Sequence, residues 1–187
     1  VLLELAYPMA LSQHESSVNI LKAKTNKSKW PELVNEYEAL NALSNEIRKL
    51  KPILKINIGY QLNLPFQDYT YYLNEAKPLA ADYHYMKALK YSETPSKQNQ
   101  KEAAINFKLA LRYVPGYMNA QELYEESREA ATITLLIRPF DGNKNIASYI
   151  RDQMMIAQSN TSKEFLRIIN RDQLKTILNE QSLLQSG

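Results

Sequence analysis

The stretch that decides the fold is "AAINFKLALRYVPGY", Ala103–Tyr117. Ala103, Phe107, Ala110 and Pro115 stand four, three and five residues apart within it. On a helix the first three share a face, because surface neighbours lie three and four residues apart. Two small residues let another helix approach closely, and the aromatic between them fills the remaining space. Pro115-Gly116 then stops the helix and turns the chain. The reading is a helix over 100–114 with Phe107 buried against the helix that carries Ala80–Tyr85.

Working outward, "SETPSKQNQ" (Ser92–Gln100) reads as a polar loop and Tyr117–Ala130 as a further helix. Upstream, a helix is expected from near Asp68 to about Tyr91, kinked or divided by Pro78. "WPELVNEYEALNALSNEIRKL" (Trp30–Leu50) has Val34, Tyr37, Leu40, Leu43 (or Ala42), Ile47 and Leu50 at helical steps, marking one buried stripe. Pro52 is expected to end that helix. Residues 51–66 would then be an irregular connection with a short extended piece at Ile56–Ile58. Short breaks between amphipathic helices make antiparallel hairpins.

The spacing around Phe107 resembles the second helix of a tetratricopeptide repeat, a helical hairpin with a period of about 34 residues. Ser16, Ile20, Ala23 and Ser28 repeat it in degraded form, with Tyr7 nine residues upstream and Pro8 counting against a regular repeat there. A non-repeating helical bundle is the alternative. The resemblance implies a concave face that grips a partner. Tyr69, Tyr72, Tyr83 and Tyr85 are the candidates to line it, in a chain with 13 Tyr against 4 Phe and 1 Trp. Tyrosine joins a large apolar body to one hydrogen-bonding tip, which suits protein contacts.

The texture changes at residue 131. "ATITLLIRPF" (Ala131–Phe140) is β-branched, apolar and bounded by Pro139 and "DGN", the signature of a buried strand and a turn. Helical spacing follows over Asn145–Gln158, then a second strand in "EFLRIIN" (Glu164–Asn170), then a helix over Arg171–Leu183. A single helix between the two strands predicts parallel pairing through a right-handed crossover. The expected class is mainly α: helical hairpins over 1–130, then a small, partial α/β domain over 131–187 in β-α-β-α order.

Within that domain, Arg171, Leu174, Leu178, Glu180 and Gln181 follow the second strand. The strand ending in Pro-Phe and this Arg-x-x-Leu-x-x-(Ile/Leu)-Leu-x-Glu-Gln pattern, with Ile177 at its variable position, resemble the periplasmic domain of the curli secretion-channel lipoprotein (CsgG). The LpoB-like lipoprotein activators of penicillin-binding proteins carry a related domain. The later strands of that family and its pore-forming hairpin are missing, so the chain is expected to be a piece of a longer protein. The upstream helices resemble those of helical-repeat envelope lipoproteins of Bacteroidetes type. Together these imply a periplasmic, outer-membrane-tethered scaffold, with an upstream lipid anchor, that docks an envelope or assembly protein and forms oligomers. A cytoplasmic tetratricopeptide adaptor that binds peptide tails is the alternative.

Bulk properties agree with a binding module. The 187 residues are 44% hydrophobic and 23% charged, with a net charge of +3 and basic residues interleaved with acids. That pattern lacks the basic stripe that nucleic acid requires. Cysteine is absent, which removes disulfides and thiolate metal sites. The two histidines, His14 and His84, lie far apart; His14 reads as a surface residue and His84 as a hydrogen-bonded, partly buried imidazole. The four glycines stand singly, so no phosphate-binding loop is encoded. "PFDGNKN" offers amide donors ahead of a helix, but a plain turn is the favoured reading. No enzyme, cofactor or metal is expected.

Overall fold

In a computed structural model, the structure describes residues 2–58, 64–136, 146–150, 152–153, 164–170 and 173–177. These residues are mainly helical, with one two-stranded parallel sheet. The elements are α1 (Leu2–Ala23), α2 (Lys29–Ile58), α3 (Thr70–Ser92), α4 (Lys97–Tyr113), α5 (Ala120–Ala131), β1 (Ile133–Leu136) and β2 (Leu166–Ile169). Two compact units can be distinguished: Val1–Leu89 with Asn106–Gln121, and Lys90–Ile105 with Glu122–Gly187.

The first unit is built from antiparallel helices. His14 meets Glu36 and Lys24 meets Glu32, so α2 runs back along α1. Asn41 meets Tyr69, Tyr37 meets Tyr72 and Lys27 meets Asp82, so α3 reverses again. His84 meets Asn106, while Tyr113, two turns farther on, packs on the core that contains Ala76 and Ala80; the α4 part of this unit therefore returns along α3. That core buries Val18, Leu21, Leu33, Val34, Tyr37, Leu40, Tyr69, Leu73, Ala76 and Ala80. A smaller cluster joins Tyr7, Ile47 and Leu64. Phe107 is fully buried, its ring edge-on to Tyr85 at 5.7 Å.

Local signals explain the element ends. Asn26 Oδ1 accepts the Ser28 N–H, closing a turn before α2. Asp68 Oδ1 accepts the Thr70 N–H at the entry to α3, and those Thr70 hydrogen bonds hold its carboxyl below the usual range. Ser96 Oγ accepts the Asn99 N–H at the start of α4, so this helix begins at Lys97, inside the segment expected to be loop. After α4, Gly116 takes φ 74°, a left-handed conformation that glycine adopts without a Cβ penalty. The next helix starts only at Ala120, because Tyr117–Asn119 continue the turn and Met118 also has positive φ.

Three expectations need correction. First, α2 does not end at Pro52 but continues to Ile58, and the residues expected to be extended at 56–58 are helical. A proline inside a helix removes one backbone hydrogen bond, and no further breaker occurs before Gly59. Likewise α3 passes unbroken through Pro78. Second, Tyr7 and Ser16 lie on one continuous helix, and Ser16 and Ile20 face solvent, so the degraded motif there is no hairpin. Third, β1 is not buried: Ile133, Thr134, Leu135 and Leu136 are all exposed. An apolar β-branched run encodes strand preference, and no described element covers this face.

The second unit holds the sheet. β1 pairs parallel with β2, with Ile133 opposite Leu166 and Leu136 opposite Ile169, the pairing expected from the sequence. Of that crossover, residues 146–150 and 152–153 are helical and the remainder lies outside the described residues. Lys97 Nζ donates to the carbonyls of Ala130 and Thr132, closing the C-terminal end of α5 with a cation. Arg167 pairs with Glu129 at 2.6 Å, and Tyr124 donates to Glu164 at 2.6 Å, tying β2 and its approach to α5.

Candidate functional site

The first unit carries a groove of about 670 Å³ between α2 and α3, closed at one side by the end of α1. Trp30, Leu33, Ala76, Pro78 and Leu79 supply its apolar lining, and Lys22, Lys29, Tyr37, Tyr72 and Glu75 its polar edge. Pro78 belongs to this wall, with Leu79 beside it 41% exposed. A second hollow of about 210 Å³ shares Lys22, Tyr37 and Tyr72 and adds Glu15, Asn19 and Tyr69.

Lys22 stands at the junction. Its ammonium lies 5.2 Å from the Tyr72 ring centre and 6.0 Å from that of Tyr37, and those rings stack at 5.7 Å. Cations are drawn to aromatic faces by the ring quadrupole. Neighbouring lysines have acidic partners: Lys24 pairs with Glu32 at 3.1 Å and Lys27 with Asp82 at 3.6 Å. Lys22 has no carboxylate partner among the described residues. Lys29 lies 5.2 Å from the Trp30 ring centre and donates to the carbonyls of Lys22 and Lys24 at the end of α1. Glu75 accepts from the Tyr71 hydroxyl at 2.7 Å, which raises the Tyr71 pKa.

The four tyrosines chosen from the sequence fall in different surroundings. Tyr72 is the one of the four that is exposed. Tyr69 is buried, donating to Glu15 at 2.6 Å, and burial together with that carboxylate pushes its hydroxyl pKa far up. Tyr85 is buried and donates to Asn119 at 2.6 Å. Tyr83 is half-buried and packs edge-on to His84. Tyr69 and Tyr85 are therefore structural residues of the fold and not free contact surface.

Ala103, Phe107 and Ala110 are fully buried on α4, and Pro115 is exposed in the turn after it. Leu174 is half-buried in the helical stretch 173–177, while Arg171, Leu178, Glu180 and Gln181 lie outside the described residues. Asn170 and Gln173 bond each other's backbone N–H at 2.9 and 3.0 Å, a reciprocal cap that starts this helix.

His84 is a buried imidazole whose Nδ1 meets Asn106 Oδ1 at 2.9 Å and whose ring stacks on Tyr113. Burial lowers its pKa, the Asn106 bond opposes that, and Lys87 adds to it. His14 is not the isolated surface residue expected: its Nδ1 lies 2.6 Å from Glu36. Among the described residues no cluster of three or more His, Asp or Glu is placed to hold a metal, and no helix is long and apolar enough to cross a membrane. The groove was not found from sequence because Lys22, Trp30 and Tyr72 belong to three helices. The single tryptophan beside a lysine was the one local hint.

No family model matches the chain, and neither a curated protein nor a solved structure shows significant similarity to it.

Proposed function

We propose that this chain is a non-enzymatic protein-interaction module of the bacterial cell envelope. It acts as part of an outer-membrane-tethered periplasmic lipoprotein that docks a protein partner. In this reading Ala103, Phe107 and Ala110 belong to a tetratricopeptide-like hairpin. The β1–β2 pair belongs to a partial CsgG/LpoB-like domain of β-α-β-α order, with Arg171, Leu174, Leu178, Glu180 and Gln181 as its motif. The observation that carries the binding role is the groove. It exposes apolar side chains between two packed helices and edges them with a lysine that has no acidic partner among the described residues. Helical grooves of this kind receive segments of other proteins. The envelope assignment rests on the resemblance of the C-terminal residues.

The test is made in the native cell. A photo-crosslinking amino acid at position 79, in the groove wall, is expected to form a covalent adduct with a distinct protein, and the chain is expected to fractionate with the outer membrane. Soluble fractionation with an adduct favours the cytoplasmic adaptor. Loss of the adduct itself overturns the binding role.

A further inference from the structure

Charge and shape together narrow what the groove accepts. Its lining holds two lysines against one glutamate, and that glutamate already accepts from Tyr71. An ammonium has three donors. Those of Lys22 meet no hydrogen-bond acceptor among the described residues, whereas Lys29 uses two of its three on backbone carbonyls. The lining spans residues 30–37 of α2 and 72–79 of α3, each roughly 10 Å of helix at 1.5 Å per residue. That length matches about two turns of a partner helix.

We propose that the groove takes an internal acidic and apolar segment of a partner protein, its apolar side chains on Trp30, Pro78 and Leu79 and its carboxylate on Lys22. Internal side-chain carboxylates suffice, because the two lysines sit along the groove wall and no clamp for a chain terminus is present among the described residues. The stacked Tyr37 and Tyr72 rings hold the Lys22 ammonium in place, so the charge that selects the partner is positioned before it arrives. This inference rests on the binding role proposed above and specifies its partner.

The experiment selects phage-displayed random peptides on the whole chain. The winners are resynthesised with acetylated and amidated ends and titrated by the fluorescence of Trp30, which lines the groove and is the one tryptophan of the chain. The expected winners combine Asp or Glu with Leu, Phe, Trp or Met and shift the Trp30 emission. Lys22→Glu should weaken them about tenfold while accepting the same peptides with Glu replaced by Lys. Leu79→Asn, at an exposed wall position, should weaken both sets. Unchanged circular dichroism and melting temperature identify the variants as folded. Winners without acidic residues, or equal binding to Lys22→Glu, overturn the acidic specificity and leave the binding role standing. Winners that bind only with a free C-terminal carboxylate also overturn it. A selection with no winners at the groove overturns both.

Discussion

At the residue scale, single side chains decide how the helices fit. Phe107 has no exposed surface and meets Tyr85 edge-on, so truncation leaves a cavity that the surrounding helices fill only in part. Phe107→Ala is expected to lower stability by about 3–5 kcal/mol in chemical denaturation; melting alongside the parent would contradict this packing. Ser44 shows the reverse case. It is 2% exposed and its hydroxyl has no hydrogen-bond partner among the described residues, so Ser44→Ala should leave stability unchanged or raise it by about 1 kcal/mol. His84 introduces pH dependence. Tyr83, Tyr113, Asn106 and Lys87 surround it, and burial holds its pKa below the ordinary imidazole value of about 6.5. As pH falls below about 6.5 the unfolded chain takes up the proton first, so stability drops until the folded pKa is reached and then levels. Denaturation midpoints between neutral and mildly acid pH should show this slope, and His84→Gln should flatten it.

At the element scale, the sequence was legible where periodicity and caps agreed. The stripe of Val34, Tyr37, Leu40 and Ile47 placed the start and the buried face of α2, and the Pro115-Gly116 turn separated α4 from α5. The parallel partnership of β1 and β2 followed from one helix between two apolar runs. Two prolines misled, because Pro52 and Pro78 each occur inside a continuous helix. Tertiary packing on an amphipathic face outweighs one lost backbone bond. Exposure of β1 was equally invisible, since composition reports strand preference and not what lies above the strand. The groove needed the fold itself, because its residues meet only when α1, α2 and α3 pack. One element end can be tested directly. Ser96 caps α4 through the Asn99 N–H, so Ser96→Ala should cost about 1 kcal/mol, and Ser96→Asp should retain the cap. Thermal melts of the two variants would separate capping from a general effect of substitution at this turn.

Taken over the whole molecule, the tyrosine content sets the alkaline limit of stability. The chain has 13 tyrosines, and the fold raises the pKa of several above the ordinary phenol value of about 10. Burial is the largest cause for Tyr69, reinforced by Glu15, and for Tyr117, reinforced by Asp82. Burial also raises Tyr113, and with the Glu164 bond it pushes Tyr124 up to about 12. In the unfolded chain these hydroxyls ionise near pH 10. Between there and their folded values the native state holds more protons than the unfolded one, and stability must fall as pH rises. Each tyrosine that titrates only when unfolded adds a slope of about 1.4 kcal/mol per pH unit at most. Stability should therefore hold from neutral pH to about pH 10 and then decline steeply, with tyrosinate absorbance rising in step with loss of helical circular dichroism. Tyr124→Phe combined with Tyr69→Phe should make that decline shallower. Complete ionisation near pH 10 with the helices intact would show that these hydroxyls are not held neutral by the fold, and the hydrogen bonds to Glu15 and Glu164 would then be absent in solution.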